Sequence, residues 1–425
     1  MNTADSQRVA AALENLGYKN SANPQGADVI VLNTCVVRQS AENKALGRLT
    51  SLKSLKQAHP EKIINLMGCL VGIHGAAEMK ERFPYVDVFS QPSDPHPLID
   101  FLSEPKWQEM TRKQQIEDIL DEEFAYTLPS SQQGKLISAF LPAVFGCSHA
   151  CSYCIIPLRR GSEISRPPDA VLADARVLVE QGVKEITLLG QIVDRYGLDK
   201  PGYPTLSGLL RSMHAIEGLE RIRFLTSHPN WMNDQLLDSI AELPKVMPHF
   251  ELPIQSGDDQ VLRNMRRGYT VEKFLRLVEK IRARFNPVSI ATDLIVGFPG
   301  ESEQQFEHSV EAIKAIRPDM THVARYSPRP GTYSALHMPD DVAAEEKMRR
   351  FRVIEALQEK ITSEINATYL NQQVPVLFED KQKHRWRGRT PTNKLVFAES
   401  DENLRGVVRE VTITWAGPWS MIAKV

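Results

Sequence analysis

The feature that most constrains this chain is a strand–helix unit that recurs between residues 136 and 365. Apolar or β-branched runs lie at Ala139–Phe145, Glu185–Leu189, Arg221–Leu225, His249–Ile254, Val288–Val296 and His322–Tyr326, and amphipathic stretches such as 169–181 and 301–316 separate them. Alternation of this kind predicts a parallel sheet, because each helix carries the chain back to start the next strand in the same direction. Six such units predict a partial (β/α)6 barrel, whose chemistry belongs at the C-terminal ends of its strands. The distinctive residues fall at those ends. CSHACSYC follows the first strand, GQ the second, SHP the third, QSGD the fourth and GFPGE the fifth.

The flanking segments differ in pattern. Residues 1–103 also read as α/β, with a helix over 3–16 (Val9, Leu13 and Leu16 on one face), strands at Asp28–Leu32 and Lys62–Met67, and a helix over 40–58. Cys35 and Cys69 each follow a strand, one βα unit apart, where ligands bind parallel sheets. Residues 104–134 read as a linker carrying the acidic run Glu117–Glu123. From 366 to 425, short strands at Val374–Glu379, Lys394–Ala398, Val407–Ile413 and Met421–Val425 predict a small OB-like β-barrel. The fold class is therefore α/β, in three domains: 1–103, 135–365 and 366–425.

Lys and Arg total 51 against 53 Asp and Glu, so the formal net charge is −2. A nucleic-acid partner would need a local basic patch. Lys381, Lys383, Arg385, Arg387 and Arg389 surround Trp386 and supply one, suited to phosphate contact and base stacking. Arg159, Arg160, Arg263, Arg266 and Arg267 are further candidates. No apolar run is long enough to span a bilayer. The N-terminus lacks a signal-peptide pattern, so a cytoplasmic location is expected.

Cys147, Cys151 and Cys154 crowd into eight residues, C-x3-C-x2-C. Thiolates are the usual ligands of iron–sulfur clusters. Three of them can hold three irons of a 4Fe–4S cluster and leave the fourth iron open to substrate. A structural zinc site wants four closed ligands, and His149 could be the fourth only from inside the same loop. Around this loop, Gln191, Gln255 and Ser256 offer hydrogen bonds at strand ends. Gly297, Gly300 and Glu301 allow close backbone approach. Arg166 could pair with a ligand carboxylate.

The spacing of the triplet, with Tyr153 before its last cysteine, resembles the radical S-adenosylmethionine superfamily. Taken together, LNTC (Leu32–Cys35), GC (Gly68–Cys69), PYVD (Pro84–Asp87), CSHACSYCIIP, RGSEISR, LLGQ, SHP, LPIQSGD, MRRGYT, DLIVGFPGE and GRTPTNKLVF resemble the methylthiotransferase family over nearly the whole chain, and most closely its tRNA-modifying MiaB type. The resemblance implies S-adenosylmethionine and two 4Fe–4S clusters, with Cys147, Cys151 and Cys154 holding the first and Cys35 and Cys69 in the second. One S-adenosylmethionine would donate a methyl group to sulfur at the second cluster. Another would yield a 5′-deoxyadenosyl radical that abstracts hydrogen from C2 of an N6-isopentenyl adenine in the tRNA anticodon loop. The C-terminal segment would be an RNA-binding TRAM domain. Partners would be tRNA and an external electron donor, with a monomeric protein and no membrane.

The third cysteine of the family's second set has no counterpart; it would lie two positions before Met1. The expectation is that the chain as given starts at an internal methionine and lacks the sheet's first strand, which would leave the next strand at an edge. Rival readings are methylthiolation of a ribosomal-protein aspartate, methylthiolation of threonylcarbamoyladenosine in tRNA, and an RNA-binding radical protein that inserts no sulfur.

Overall fold

The computed structural model describes residues 1–37, 39–103 and 128–425. The acidic run of the expected linker lies outside the described residues. The chain packs as two units: 1–133 with 140–149 and 154–181, and 134–139 with 150–153 and 182–425.

In the first unit, β1 (Val29–Thr34), β2 (Ile63–Gly68) and β3 (Val88–Ser90) form a parallel sheet in that order. Side chains alternate across a strand, so β2 feeds two cores. Ile63 and Met67 pack with Val9 and Leu16 of the helix Asn2–Asn15. Ile64 and Leu66 pack with Leu49 and Leu52 of the helix Gln39–Ala58. Strand β2 is buried throughout, whereas only Thr34 is fully buried in β1, the edge strand. A cavity of about 940 Å3 runs along β1 and the first helix.

The expected strand Ala139–Phe145 is two strands. β4 (Ser138–Pro142) belongs to a three-stranded sheet, and β5 (Val144–Phe145) pairs antiparallel with β6 (Ile164–Ser165). β7 (Glu185–Leu189) and β8 (Arg221–Leu225) pair in parallel, in the order β4-β7-β8. β9 (His249–Glu251), β10 (Ser289–Val296) and β11 (Met320–Arg325) form a parallel trio, and an Ile222–Val246 bridge continues the curve from β8 toward it. β9 is shorter than its apolar run. Pro253 has no N–H to pair, and Gln255 sits at φ +70°.

The C-terminal barrel closes in the order β12-β13-β14-β16-β15. Its strands are β12 (Gln373–Gln382), β13 (Arg385–Arg389), β14 (Leu395–Glu399), β15 (Val408–Ala416) and β16 (Met421–Lys424). The sequence reading has four strands here. The fifth, β13, comes from the segment read as a basic patch. Gly388 lets β13 cross close to β12, since a Cβ there would meet the Leu377 carbonyl oxygen at 2.5 Å.

A buried ion pair fastens this barrel to β7 and β8. Arg223 Nε donates to Glu185 Oε2 at 3.0 Å, with both side chains under 5% exposed. Its Nη1 and Nη2 donate to the carbonyls of Pro391 and Thr390, each at 2.9 Å. Arg223→Met leaves the Glu185 carboxylate buried without its cation, and urea denaturation should show a loss of about 3–5 kcal/mol. The Arg223→Met/Glu185→Leu double variant should regain much of it.

Candidate iron–sulfur and S-adenosylmethionine site

The β5–β6 pair clamps the two ends of the cysteine loop. Gly146 turns the chain out of β5 at φ +61°, and a Cβ there would fall 2.0 Å from the Ser162 carbonyl oxygen. The Cys147 amide donates to Gly161 O at 3.0 Å, and the Glu163 amide to Ser148 Oγ at 3.0 Å. Ser152 anchors the middle of the loop, donating Oγ to Asn264 O at 2.7 Å and N to Met265 O at 3.1 Å.

The sulfurs of Cys147 and Cys151 accept hydrogen bonds. Cys147 Sγ accepts from the His149 amide at 3.4 Å, and Cys151 Sγ from Arg267 Nη1 at 3.2 Å. Arg267 is 5% exposed and also donates to the Tyr269 hydroxyl and Pro253 O. It is therefore committed to the cysteine loop, which corrects its reading as an RNA contact. Among the described residues, no three His, Cys, Asp or Glu side chains converge as a single metal ion requires. A 4Fe–4S cluster needs no such convergence, because each thiolate binds its own iron. The donor set fits that cluster.

Among the described residues at strand ends of the second unit, Gln255 Oε1 beyond β9 and Ser227 Oγ beyond β8 are buried without a hydrogen-bond partner. Both would need a hydrogen-bonding ligand when water is excluded, which suits the polar groups of S-adenosylmethionine. Gln191 is half-buried beyond β7. Other expected ligand contacts take structural parts. Tyr153 packs edge-on against Phe298, 6.4 Å between centroids. Ser256 Oγ accepts from the Asp258 amide within its turn at 3.2 Å.

Glu301 braces its turn with one oxygen and leaves the other unpaired. Its Oε2 accepts from the Gly297 amide at 2.6 Å and from Arg350 Nη1 at 2.8 Å, while Oε1 is buried without a hydrogen-bond partner, and the residue is 3% exposed. Gly297 lets the Lys347 stem pass 2.3 Å from where a Cβ would be, and the Gly300 amide donates to Asp341 Oδ1 at 2.8 Å. The turn is thus fastened to the segment around the helix Ala344–Ala367. Arg166 is held by its own surroundings: its Nη2 donates to Asp174 at 2.6 Å and its Nη1 to Pro142 O at 2.9 Å. The ion pair takes up the fork expected for a ligand carboxylate.

The second cysteine pair follows from strand register. Thr34 pairs with Gly68, so the next residues, Cys35 and Cys69, emerge side by side, and the Cys69 amide donates to Thr34 O at 3.1 Å. Gly68 sits at φ +98°, and a Cβ there would lie 2.6 Å from Thr34 O. Arg160 Nε donates to Cys69 Sγ at 3.3 Å. Burial pushes the Cys69 thiol above its ordinary range, while the Arg160 guanidinium pulls it back. From sequence alone Arg160 is a candidate RNA contact. No linear pattern marks it as a sulfur partner, because Cys69 is 91 residues away in the chain.

The basic segment 381–389 is mostly neutralised. Trp386 is 6% exposed within the barrel core, so it does not stack on bases. Arg387 pairs with Asp380 through Nε and Nη2, each at 2.9 Å, Arg385 with Glu399 at 2.9 Å, and Arg389 donates to Asn393 O at 3.1 Å. Lys381 and Lys383 are exposed. Two tryptophans missed in the sequence reading stand out instead: Trp415 and Trp419 are 50% and 54% exposed. Strict alternation from Val411 and Ile413 would bury Trp415, but a register shift between Ile413 and Trp415 turns it outward.

Glu251 at the end of β9 is held protonated to about 7 against an ordinary 4.5, first by burial and then by the Asp293 charge. The raised value contributes stability that is fully present below pH 4.5 and lost as pH rises through 7. Glu251→Gln removes that loss. Denaturation of the apoprotein at about pH 8 should find the variant more stable than wild type by roughly 1–3 kcal/mol, with the difference shrinking as pH falls through 7 and vanishing below about pH 4.

Comparison with known proteins agrees with this geometry. The Radical SAM superfamily model matches residues 141–313, and the model described as "Uncharacterized protein family UPF0004" matches residues 1–90. A tRNA-2-methylthio-N(6)-dimethylallyladenosine synthase of Roseiflexus sp. is 45% identical, covering 99% of this chain and 86% of the relative. Synthases of the same name from Herpetosiphon aurantiacus and Dehalococcoides mccartyi are 43% and 42% identical, covering 99% and 100% of this chain and 93% and 96% of theirs. Among solved structures, the radical S-adenosylmethionine methyltransferase TsrM of Kitasatospora setae, with tryptophan and a SAM analog bound, aligns at a TM-score of 0.53 and 13% identity over 90% of this chain and 76% of that one, a likeness of fold. The chain belongs to the tRNA-2-methylthio-N(6)-dimethylallyladenosine synthase family within the radical S-adenosylmethionine superfamily.

Proposed function

We propose that this protein methylthiolates C2 of N6-isopentenyladenosine in the tRNA anticodon loop, using S-adenosylmethionine and two 4Fe–4S clusters. The observation that carries the reading is the pairing of two cysteine sets, the loop Cys147–Cys154 and the register-matched Cys35 and Cys69, in a chain 45% identical to a synthase of that name over nearly its full length. The protein acts as a cytoplasmic monomer with an external electron donor. Residues 1–103 carry the second cluster, 135–365 the radical chemistry and 366–425 an RNA-binding surface.

Cys147, Cys151 and Cys154 hold the first cluster. When bound, it supplies the electron that cleaves S-adenosylmethionine. Arg267 fixes Cys151 from a buried position. Gln255 and Ser227 meet the polar groups of the cofactor with atoms that otherwise lack partners. Val261, Met265, Phe298 and Tyr326 form a buried apolar cluster against which Tyr153 of the cysteine loop packs. No acid–base pair is assigned, because an adenine C2–H is not acidic enough for a side-chain base. On the C-terminal barrel, Lys381 and Lys383 contact phosphate, and Trp415 and Trp419 offer stacking faces.

Two experiments test this reading. Mass spectrometry of tRNA nucleosides from cells lacking the gene should show loss of 2-methylthio-N6-isopentenyladenosine, restored by wild type and not by Cys151→Ala; unchanged 2-methylthio nucleoside would refute it. The Lys381→Ala/Lys383→Ala variant should bind tRNA with a log–log salt slope shallower by about 2, without loss of stability.

A further inference from the structure

The second unit carries an exposed arginine–aromatic stack. Arg266 Cζ lies 3.7 Å from the ring centroid of Tyr333, a stacking distance. His337, at the other end of the short helix Tyr333–His337, lies 4.6 Å from the same ring at a tilt of 44°. Arg266 and His337 are exposed, and Tyr333 is 44% exposed.

The backbone under both residues is pinned. Arg266 follows the helix Asp259–Asn264, and its amide donates to Arg263 O at 2.9 Å. It sits in the left-handed region at φ +58°, where a glycine would meet no strain. Beside Tyr333, the buried Thr332 donates Oγ1 to Arg329 O at 2.7 Å, and the buried Ser334 Oγ accepts from the Tyr326 hydroxyl at 3.0 Å. Ser152 joins the two segments: its amide donates to Met265 O at 3.1 Å, and its carbonyl accepts the Ser334 amide at 2.8 Å. Met265 precedes Arg266 and Ser334 follows Tyr333, so the stack is fixed to the residue after Cys151.

Charge identifies the occupant. Arg211, Arg276 and Arg349 of the same unit each pair with a glutamate. Among the described residues, Arg266 has no carboxylate within ion-pair distance. An unneutralised guanidinium over an aromatic ring suits a nucleotide, whose base extends the stack and whose phosphate meets the cation. Leu336 on the same helix is 66% exposed and would also serve a contact between two copies of the chain. The unpaired charge of Arg266 opposes burial against its own copy.

We propose that Arg266 and Tyr333 form a platform that stacks an unpaired base of the RNA loop carrying the target adenine. The proposal rests on the tRNA reading above and adds a contact within residues 135–365 to those on the C-terminal barrel. An aromatic on a pinned backbone costs little ordering when a base meets it. The platform lies beyond β9 and β11, so a base held there brings its neighbours to the strand-end face.

The test uses the full chain and a tRNA anticodon stem-loop with 2-aminopurine beside the target adenine, on its 5′ or its 3′ side. Wild type should quench the fluorescence on binding from one of the two positions. Tyr333→Ala should bind about tenfold more weakly at every salt concentration, lose the quenching and keep the wild-type salt slope. Arg266→Gly should also bind about tenfold more weakly, with a log–log salt slope shallower by about 1. Its melting temperature should match wild type, because glycine fits φ +58°. Tyr333→Phe should behave as wild type, since a ring face is all that stacking needs.

Wild-type affinity and quenching in both Tyr333→Ala and Arg266→Gly overturn the proposal while leaving the tRNA reading intact. Wild-type binding without quenching from either position does the same. So does a Tyr333→Phe protein as weak as Tyr333→Ala, because the hydroxyl would then make the contact. A wild-type dimer in sedimentation that Tyr333→Ala dissociates, with RNA affinity unchanged, assigns the patch to a second copy and overturns the proposal too. A wild type that does not bind the stem-loop overturns the tRNA reading itself, and the proposal with it.

Discussion

In a parallel strand pair, the residues just past the two strands leave the sheet at the same end, and register decides which of them become neighbours. Here Thr34 pairs with Gly68, so Cys35 and Cys69 leave the sheet at the same end from neighbouring strands. A shift of one residue would separate them and turn every β1 side chain to the opposite face. The register is held by more than the ladder. Thr34 Oγ1 donates to Met67 O at 2.8 Å and accepts the Leu70 amide at 3.1 Å, so one hydroxyl spans the ends of both strands. Gly68 permits the approach that any side chain would block. In the second unit the same logic brings Ser227 and Gln255 to neighbouring strand ends, where the Ser227 amide donates to Glu251 O at 3.1 Å.

Two arginines reach cysteine sulfur within their own units, Arg160 to Cys69 and Arg267 to Cys151. Burial alone drives a thiol toward its neutral form, which binds iron poorly. At Cys69 burial acts in that direction and the guanidinium opposes it. An arginine keeps its charge where a lysine would surrender it to desolvation, and its planar fork can serve sulfur and a second acceptor together. Both arginines lie in segments whose charge suggests a solvated or RNA-facing surface. Their actual partners are set by packing.

Much of the fold was legible because the elements obey their own periods. β7 and β8 have the limits their apolar runs suggest, and the helices Asn2–Asn15 and Gln39–Ala58 begin one residue before the expected positions. What escaped was partnership. Arg166 and Glu301 stand where a ligand residue would, yet Asp174 and Arg350 take their charges; the first lies eight residues away and the second 49. A charged side chain beside a strand end reads alike whether it waits for a ligand or braces a turn. Only geometry distinguishes the two.

The C-terminal barrel shows the same ambiguity in a strand. Arg385–Arg389 reads as a cationic patch because its charges are conspicuous, but Trp386 and Gly388 alternate inward while the arginines point out to Asp380, Glu399 and Asn393. Period-2 alternation was present in WRGR and was hidden by its polarity. At β15 the opposite happens: a true alternation is broken by one bulge, and a tryptophan that the pattern would bury faces solvent. Asn366 then fixes the following turn, donating Nδ2 to Gly417 O at 2.7 Å and to Pro418 O at 3.1 Å, so Trp415 and Trp419 flank an anchored turn. An aromatic held out from a pinned backbone loses little conformational freedom on meeting a base. That favours Trp415 and Trp419 over the buried Trp386 as the surface on which this barrel meets single-stranded RNA.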